Sequence, residues 1–312
     1  MRLHPIVVAL AACAATGAAS ANDLFNFTTV QNTDWTQAGL GGMRGVGSGT
    51  IALSGVTGAV TKAYLYWHGP TNSIDPLANA AVSFGGSNIN GTNIGFSDNN
   101  FWGFRNSQAY RANVTSLVTG NGNYALANFT KPGVEINGAS LIVFFDDGNS
   151  ANNRDVVLFN GNDANFHNPF DADGWNSTLS GINYAGGNAS ISFHVSDGQN
   201  FNPHDDGTLN LNGSALAEGG IFQGDSTPFS TGGVANGKLW DIKTFDVTSF
   251  LSPGPNSLNI QMTAVNDALS LVVAAIDLPA GAAPPPVPEP STYLMLLAGL
   301  GGIGAVMRRR RA

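Results

Sequence analysis

The feature that most constrains this chain is a series of short apolar runs that stop at turn-forming residues. The runs at 63–67, 141–145, 156–159 and 191–195 each end within two residues of a Gly, Asn or Asp, and such short, punctuated runs are typical of β-strands. Forty glycines and repeated Asn-Gly, Asp-Gly and Gly-Gly pairs can form the tight turns between them. Between the two termini no apolar pattern keeps a helical period beyond about two turns. The sequence therefore predicts an all-β fold.

The two halves of this region also resemble each other. Four short segments recur at offsets of 126, 127, 127 and 133 residues. The matched pairs are 53–56 with 179–182, 64–66 with 191–193, 82–87 with 209–214, and 113–118 with 246–251. Because a nearly constant offset is typical of a duplicated unit, we expect two tandem, jelly-roll-like β-sandwich units at 22–145 and 146–280. The alternative is one large sandwich whose strands look alike.

The N-terminus has the pattern of an export signal. Arg2 precedes an apolar run at 6–15, and small residues then lead to Ala19-Ser20-Ala21. This order of a charged residue, an apolar run and an A-x-A site predicts a signal peptide at 1–21, with signal peptidase cutting between Ala21 and Asn22. An alternative is a lipoprotein signal in which Cys13, the single cysteine, is acylated. The predicted mature chain then contains no disulfide.

The C-terminus has three parts in a fixed order. A Pro-rich spacer at 281–290 ends in Pro288-Glu289-Pro290, and an apolar stretch follows at 293–307. The chain then has four basic residues, Arg308, Arg309, Arg310 and Arg311. We expect 291–312 to form a transmembrane helix whose cationic end stays on the cytoplasmic side, leaving the rest of the chain outside.

This tail resembles the PEP-CTERM sorting signal of Gram-negative bacteria, which is the substrate tag of exosortase proteases. The resemblance covers residues 287 to 312. It implies that exosortase cuts near Pro288-Glu289-Pro290, so the helix anchors the chain only before processing. It also implies an inner-membrane intermediate and then release to the cell surface or the extracellular matrix.

Charge excludes some partners for the folded part. Residues 22–287 contain eight basic and twenty acidic residues, a net charge of −12. Such a surface repels nucleic acids and anionic lipids. We therefore expect no nucleic-acid partner, and membrane contact only through the C-terminal helix.

Acidic turns are the first candidate for binding chemistry. They occur at 146–149, 162–163, 171–174 and 205–207. Clustered Asp and Asn oxygens can bind calcium, and Asp146, Asp147, Asp171 and Asp173 are the residues we expect to hold a structural calcium ion. The alternative is that Asp-Gly pairs here only form turns. No histidine pair has a zinc-ligand spacing, and we predict no other cofactor.

Tryptophans in Gly- and Asn-rich segments are the second candidate. Trp35, Trp102 and Trp175 lie in such segments, where their rings could stack on sugars. The alternative is that they pack in the core. The repeated Val-Thr-Ser segments at 114–116 and 247–249 resemble those of jelly-roll modules in bacterial surface proteins and carbohydrate-binding modules. That resemblance implies a fold and no reaction.

These observations favour a non-catalytic surface or matrix protein associated with exopolysaccharide and biofilm. Nothing in the sequence selects a catalytic residue, because there is no G-x-S-x-G elbow and no carboxylate pair stands out. The first alternative is a carbohydrate-binding module. The second is a secreted hydrolase, which convergent Asp and His side chains with perturbed pKa values would favour.

Overall fold

The computed structural model describes residues 23–97, 103–166, 174–200, 206–224, 238–265 and 267–281. These residues form seventeen β-strands and two single turns of 3-10 helix, so the all-β prediction is confirmed. The strands are β1 (Phe25–Leu40), β2 (Gly49–Leu53), β3 (Ala59–Thr71), β4 (Ala81–Phe84), β5 (Ser87–Asn90), β6 (Thr92–Ser97), β7 (Asn106–Asn113), β8 (Gly122–Ala127), β9 (Gly138–Asp146), β10 (Arg154–Ala164), β11 (Trp175–Tyr184), β12 (Ser190–Ser196), β13 (Thr208–Leu211), β14 (Ser214–Glu218), β15 (Trp240–Asp246), β16 (Gly254–Met262) and β17 (Ser270–Pro279).

The strands form one large and two small antiparallel sheets. The nine-stranded sheet has the order β15-β12-β17-β10-β1-β9-β3-β7-β6. The small sheets have the orders β2-β8-β4-β5 and β11-β16-β13-β14. The predicted signal peptide with Ala21 and Asn22, and the tail from residue 282, lie outside the described residues.

The two halves of the chain have the same strand order. In the large sheet, β1-β9-β3-β7 corresponds to β10-β17-β12-β15, and the small sheets match strand by strand. The 3-10 turns at Thr115–Leu117 and Thr248–Phe250 lie at equivalent places. All four sequence matches therefore fall on equivalent elements. We call the parts before and after residue 146 unit 1 and unit 2.

Each unit has its own apolar core between its half of the large sheet and its small sheet. The core of unit 1 contains Trp67, Phe84 and Phe129, and the core of unit 2 contains Trp175, Phe193 and Phe222. Burial of each such side chain contributes about 1.5–3 kcal/mol. A third cluster, which includes Tyr66, Phe144, Leu158 and Trp240, covers the opposite face of the large sheet and joins the units.

The long strand β1 bends where it passes from unit 2 to unit 1. It pairs with β10 up to Thr33 and with β9 from Asp34 onward. The register shifts between Val30 and Thr33, and Asn32 has a φ of 51°. Such a bulge bends a strand, and here it folds the two halves of the large sheet face to face. Apolar alternation does not predict β1, because the bulge interrupts its period of two.

The fold thereby acquires two different ends. At the junction end lie the bend in β1, the loop 147–153 and Gly281, because Arg154 pairs with Pro279. At the open end the last residues of β3 and β12 meet across the units. There, a Cβ on Gly138 would lie 2.6 Å from the Cβ of Trp240, so the two sheets are in close contact.

Candidate functional site

Polar side chains link the two units near the open end. His68 of unit 1 lies with its Nδ1 2.6 Å from the Oγ of Ser196 in unit 2. The amide of Asn137 donates to the same Ser196 Oγ at 2.9 Å. Arg44 donates to Asn137 and forms an ion pair of 2.8 Å with Asp197. His68, Asn137 and Ser196 are fully buried, so these bonds hold the units together rather than face solvent.

A second histidine lies deeper in the same interface. The Oγ of Ser140 is 2.6 Å from His194 Nδ1, and Gln37 Oε1 is 2.8 Å from His194 Nε2. Because an amide oxygen can only accept, Nε2 carries the proton and Nδ1 accepts from Ser140. Gln37 also donates to Ser192 Oγ at 3.0 Å. Both ring nitrogens of His194 therefore have partners within the protein.

Burial determines the charge of both histidines. It lowers the pKa of His194 to about 3. It also lowers the pKa of His68 to about 3, with a smaller effect from the positive charge of Arg44. Both imidazoles are therefore neutral at physiological pH and are weak bases. Each contacts a serine, yet both serines are fully buried, which is unsuitable for nucleophilic catalysis on an external substrate.

Four buried aspartates lie at the open end of unit 2, and we call them the open-end aspartates: Asp197, Asp206, Asp241 and Asp267. Three of them accept hydrogen bonds from loop backbones. Asp206 Oδ2 accepts from the amides of Ile221 and Phe222, both at 2.6 Å. Asp241 Oδ2 accepts from Gly224 N at 2.8 Å, and Asp267 Oδ2 accepts from Gln199 N at 2.9 Å. These hydrogen bonds thus hold the loops against the ends of the strands.

Asp267 has a strongly raised pKa. Burial, and then the negative charges of Asp197 and Asp206, raise it to about 8. A carboxyl group that is protonated near neutral pH is a feature that enzymes use for acid and base catalysis, although structural networks also produce it. Asp197, Asp241 and Asp267 could not be predicted from the sequence, because they come from separate strand ends and form no local motif.

A second acidic group lies at the junction end, and we call it the junction cluster: Asp34, Asp146 and Asp147. One oxygen of each carboxylate lies within 4.8 Å of the others. Asp147 N donates to Asp34 Oδ2 at 3.2 Å. The structure thus places Asp146 and Asp147 side by side and adds Asp34, which sequence alone did not indicate. Asp171 and Asp173 lie outside the described residues, and calcium binding remains a prediction.

The structure describes two of the three tryptophans predicted to bind sugar. Trp175 is 2% exposed and packs in the core of unit 2, where its indole donates to Leu269 O. A sugar could therefore not stack on its ring without unpacking the core. Trp35 is half-buried against the cluster between the units. Trp102 lies outside the described residues.

Exposed apolar side chains concentrate at the open end. Among the described residues, five large apolar side chains are exposed: Phe25, Val46, Ile74, Leu77 and Val265. Four of them lie in loops that follow β1, β3 and β16 at the open end. Phe25 is the first residue of β1 and pairs with Asn160, in the half of β10 that is nearer to this end. Exposed apolar groups gathered at one place are typical of interaction surfaces.

Fold and site thus define an all-β protein of two fused sandwich units. Comparison with known proteins adds evidence for export. The PEP-CTERM protein-sorting motif matches residues 286–311. The chain therefore carries a PEP-CTERM tail, as predicted from Pro288, Glu289, Pro290 and the four arginines, and this motif implies export and processing by exosortase. Within the part of the chain that the structure describes, no helix has the length and apolarity to cross a bilayer; the predicted helix at 291–312 falls beyond that part.

No curated protein matches the chain. Among solved structures it is similar to a peptide N-glycanase F (PNGase F), with 10% identity over 81% of this chain and 96% of the other, at a TM-score of 0.23. PNGase F, a glycosylasparaginase from Flavobacterium meningosepticum, gives 12% identity over 84% and 99%, at a TM-score of 0.29. A glycoside hydrolase family 86 β-porphyranase from Bacteroides plebeius gives 12% identity over 75% and 35%, at 0.19. These likenesses are too weak to support any functional argument.

Proposed function

We propose that this protein is a non-catalytic component of the cell surface or extracellular matrix, where its open end binds exopolysaccharide or another part of the biofilm. The observation that carries this proposal is the position of the exposed apolar side chains relative to the sorting tail. The tail continues from Gly281 at the junction end, whereas all five exposed large apolar side chains lie towards the open end.

The direction of β17 supports this orientation. The strand runs from Ser270, opposite Ala164 at the open end, to Pro279, opposite Arg154 at the junction end. Its ten residues span about 33 Å at ~3.3 Å per residue. The open end is therefore the end of the described chain that lies farther from the point where the tail begins.

A non-catalytic role is supported by how the polar groups of the interface are used. The ring nitrogens of His194, both Ser-His pairs and the amides of Gln37 and Asn137 are engaged in bonds between the two units. These groups are fully or largely buried, and the low pKa of each histidine leaves it a poor base. The network is therefore suited to holding the units in place.

Sorting is tested by fractionation of the host with and without its exosortase, followed by mass spectrometry of the mature termini. We expect the surface form to begin at Asn22 and to end close to Pro288-Glu289-Pro290. In the strain without exosortase the chain should stay in the inner membrane. A surface form that still ended in the arginines would contradict this proposal.

Binding by the open end is tested by co-sedimentation of the mature protein with the exopolysaccharide of its host. The double variant Ile74→Ser/Leu77→Ser should lose retention. Trp102→Ala separately tests the tryptophan that the sequence predicts to stack on sugars, and it should lose retention if that prediction holds. Ala151→Ser changes an exposed residue of the junction end and is the matched control, which should bind like wild type. Equal retention of all variants would exclude the open end as the binding surface.

A second candidate function is glycan hydrolysis, and the raised pKa of Asp267 favours it. Near neutral pH this carboxyl group would carry a proton that it could donate to a leaving group. The test is release of reducing ends from the host polysaccharide. Activity that disappears in Asp267→Asn would support hydrolysis, and the absence of turnover by the wild-type protein would leave binding as the function.

A further inference from the structure

The junction cluster lies where the two units are covalently and structurally joined. Asp34 is the first residue of β1 that pairs with β9, immediately after Thr33 makes the last pair with β10. Asp146 ends β9, and Asp147 begins the loop that leads to β10. Asp34 therefore belongs to β1, Asp146 to β9, and Asp147 to the loop that connects β9 with β10.

These carboxylates are close together without a basic partner. The two ion pairs found among the described residues, Arg44–Asp197 and Arg154–Asp277, include none of the three. Asp34 is 7% exposed. A buried carboxylate is costly unless a counter-charge accompanies it.

An uncharged oxygen beside the cluster supplies an independent observation. Asn153 is 8% exposed, and its Oδ1 is buried without a hydrogen-bond partner. Its Nδ2 donates to Asn32 O at 3.1 Å. The loop returns to the cluster just before it, since Asn152 Nδ2 donates to Asp147 Oδ2 at 3.1 Å. A buried carbonyl oxygen with no donor costs about 1–3 kcal/mol. Contact with a cation would remove this cost.

The register of the strands indicates where Asn153 lies. Thr33 pairs with Arg154. Asn153 directly precedes this pair and Asp34 directly follows it, so Asn153 lies opposite Asp34 where β10 begins. On its other side, the neighbouring Asn152 donates to Asp147. Asn153 is therefore held next to the cluster from both sides.

We propose that the side-chain oxygens of Asp34, Asp146, Asp147 and Asn153 bind one calcium ion that fixes the two units at the bend of β1. Calcium takes six to eight oxygen ligands in flexible geometry. The four side chains supply carboxylate and amide oxygens, and the exposure of Asp146 leaves room for water. The ion neutralises the buried charge of Asp34 and gives Asn153 Oδ1 its partner. Extracellular modules bind calcium with Kd values of about 10⁻⁴–10⁻³ M, which suits an exported protein.

The test uses the mature protein, stripped with a chelator and titrated with CaCl₂ by isothermal calorimetry. Wild type should bind calcium saturably and melt at a higher temperature in 5–10 mM calcium, roughly ten times the weakest expected Kd, than in chelator. Asp34→Asn and Asp146→Asn should each lower the affinity of this site at least about tenfold, and Asn153→Ala should lower it by a smaller factor. Mg²⁺ in place of calcium should bind more weakly.

Controls separate this site from the others. Glu218→Gln removes one exposed acidic group of unit 2 and should leave binding unchanged. If Asp171 and Asp173 hold a second ion, Asp146→Asn should lower the stoichiometry by one. Because Asp146 is exposed, its variant should fold even if Asp34→Asn does not. Saturable binding that is unchanged in both Asp146→Asn and Asn153→Ala, or no binding by wild type, would overturn the proposal.

Discussion

The two sandwich units have the same strand order but secure their open-end loops with different chemistry. Unit 1 uses neutral amides: Asn79 donates to Phe129 O at 2.9 Å, and Asn106 and Gln108 both donate to Ser73 O. Unit 2 uses the open-end aspartates. Asp241 lies 133 residues after Gln108, the same offset as in the last sequence match, so a carboxylate in one unit takes the place of an amide in the other.

Two units with the same topology can therefore respond differently to pH. Both units satisfy loop backbone groups that would otherwise be buried without partners. An amide does so at any pH, whereas a carboxylate does so in a way that depends on its protonation. We therefore expect the stability of unit 2 to vary with pH more than that of unit 1.

The largest expected effect comes from the loss of a carboxylate that accepts two backbone bonds. Asp206→Ala removes both bonds to the amides of Ile221 and Phe222, and bonds to charged groups contribute about 1.5–3 kcal/mol each. The free energy of unfolding, measured in urea, should fall by about 3–6 kcal/mol. The matched variant in unit 1, Asn79→Ala, removes the bond to Phe129 O and a bond from Lys131 Nζ, and it should lose about 2–4 kcal/mol. Similar losses in both would remove the distinction between the units.

The pH dependence of Asp267 is the next largest effect. Its pKa is raised from 3.8 to about 8 in the folded protein, so its stabilising contribution is complete below about pH 4 and is lost as pH rises towards 8. The slope is at most about 1.4 kcal/mol per pH unit, or about 2 kcal/mol between pH 6.5 and 8. Urea unfolding across this range should show the decline, and Asp267→Asn should flatten it.

The pKa shifts of the two buried histidines have the opposite sign, and they set the lower pH limit of that measurement. Their folded pKa of about 3 lies below the ordinary 6.5. Their contribution is therefore present above pH 6.5 and is lost as pH falls towards 3. Above pH 6.5 they stay largely neutral in both states. If Asp267→Asn kept the full slope between pH 6.5 and 8, another group would be responsible.

The interface between the units should respond more weakly. Ser140→Ala leaves Nδ1 of the buried His194 without its donor, and we expect a loss of about 1 kcal/mol in the free energy of unfolding. A double-mutant cycle with His194→Phe measures the coupling, since the second change removes the unpaired nitrogen. Strictly additive losses would mean that the bond does not couple the two units.

The smallest effect is expected at a pair of equivalent exposed turns. Asn113 Oδ1 accepts from Thr115 N in unit 1, and Asp246 Oδ1 accepts from Thr248 N in unit 2. The backbone bond from Thr248 lowers the pKa of Asp246. Because an amide oxygen can accept the same bond, Asp246→Asn should leave the thermal unfolding midpoint unchanged at pH 7. A clear fall would show that the charge matters at this turn.

Local patterns in the sequence were sufficient to predict one part of this molecule. Strands such as those at 141–145 and 191–195 follow from short apolar runs bounded by turn residues, and the duplication follows from repeated spacing. The PEP-CTERM tail is a linear signal, so Pro288, Glu289, Pro290 and the arginines could be recognised without a fold. Asp146 and Asp147 were predicted together because they are adjacent in one turn.

Contacts between residues that are distant in sequence could be located only in the folded chain. Asp34 meets Asp147 across 113 residues, and Asp267 meets Gln199 across 68. The first contact arises because β1 pairs with β9, and the second because β12 pairs with β17. Turn and strand preferences act over a few residues, whereas these contacts arise from burial of the apolar faces of whole sheets. No local pattern in the sequence carries that information.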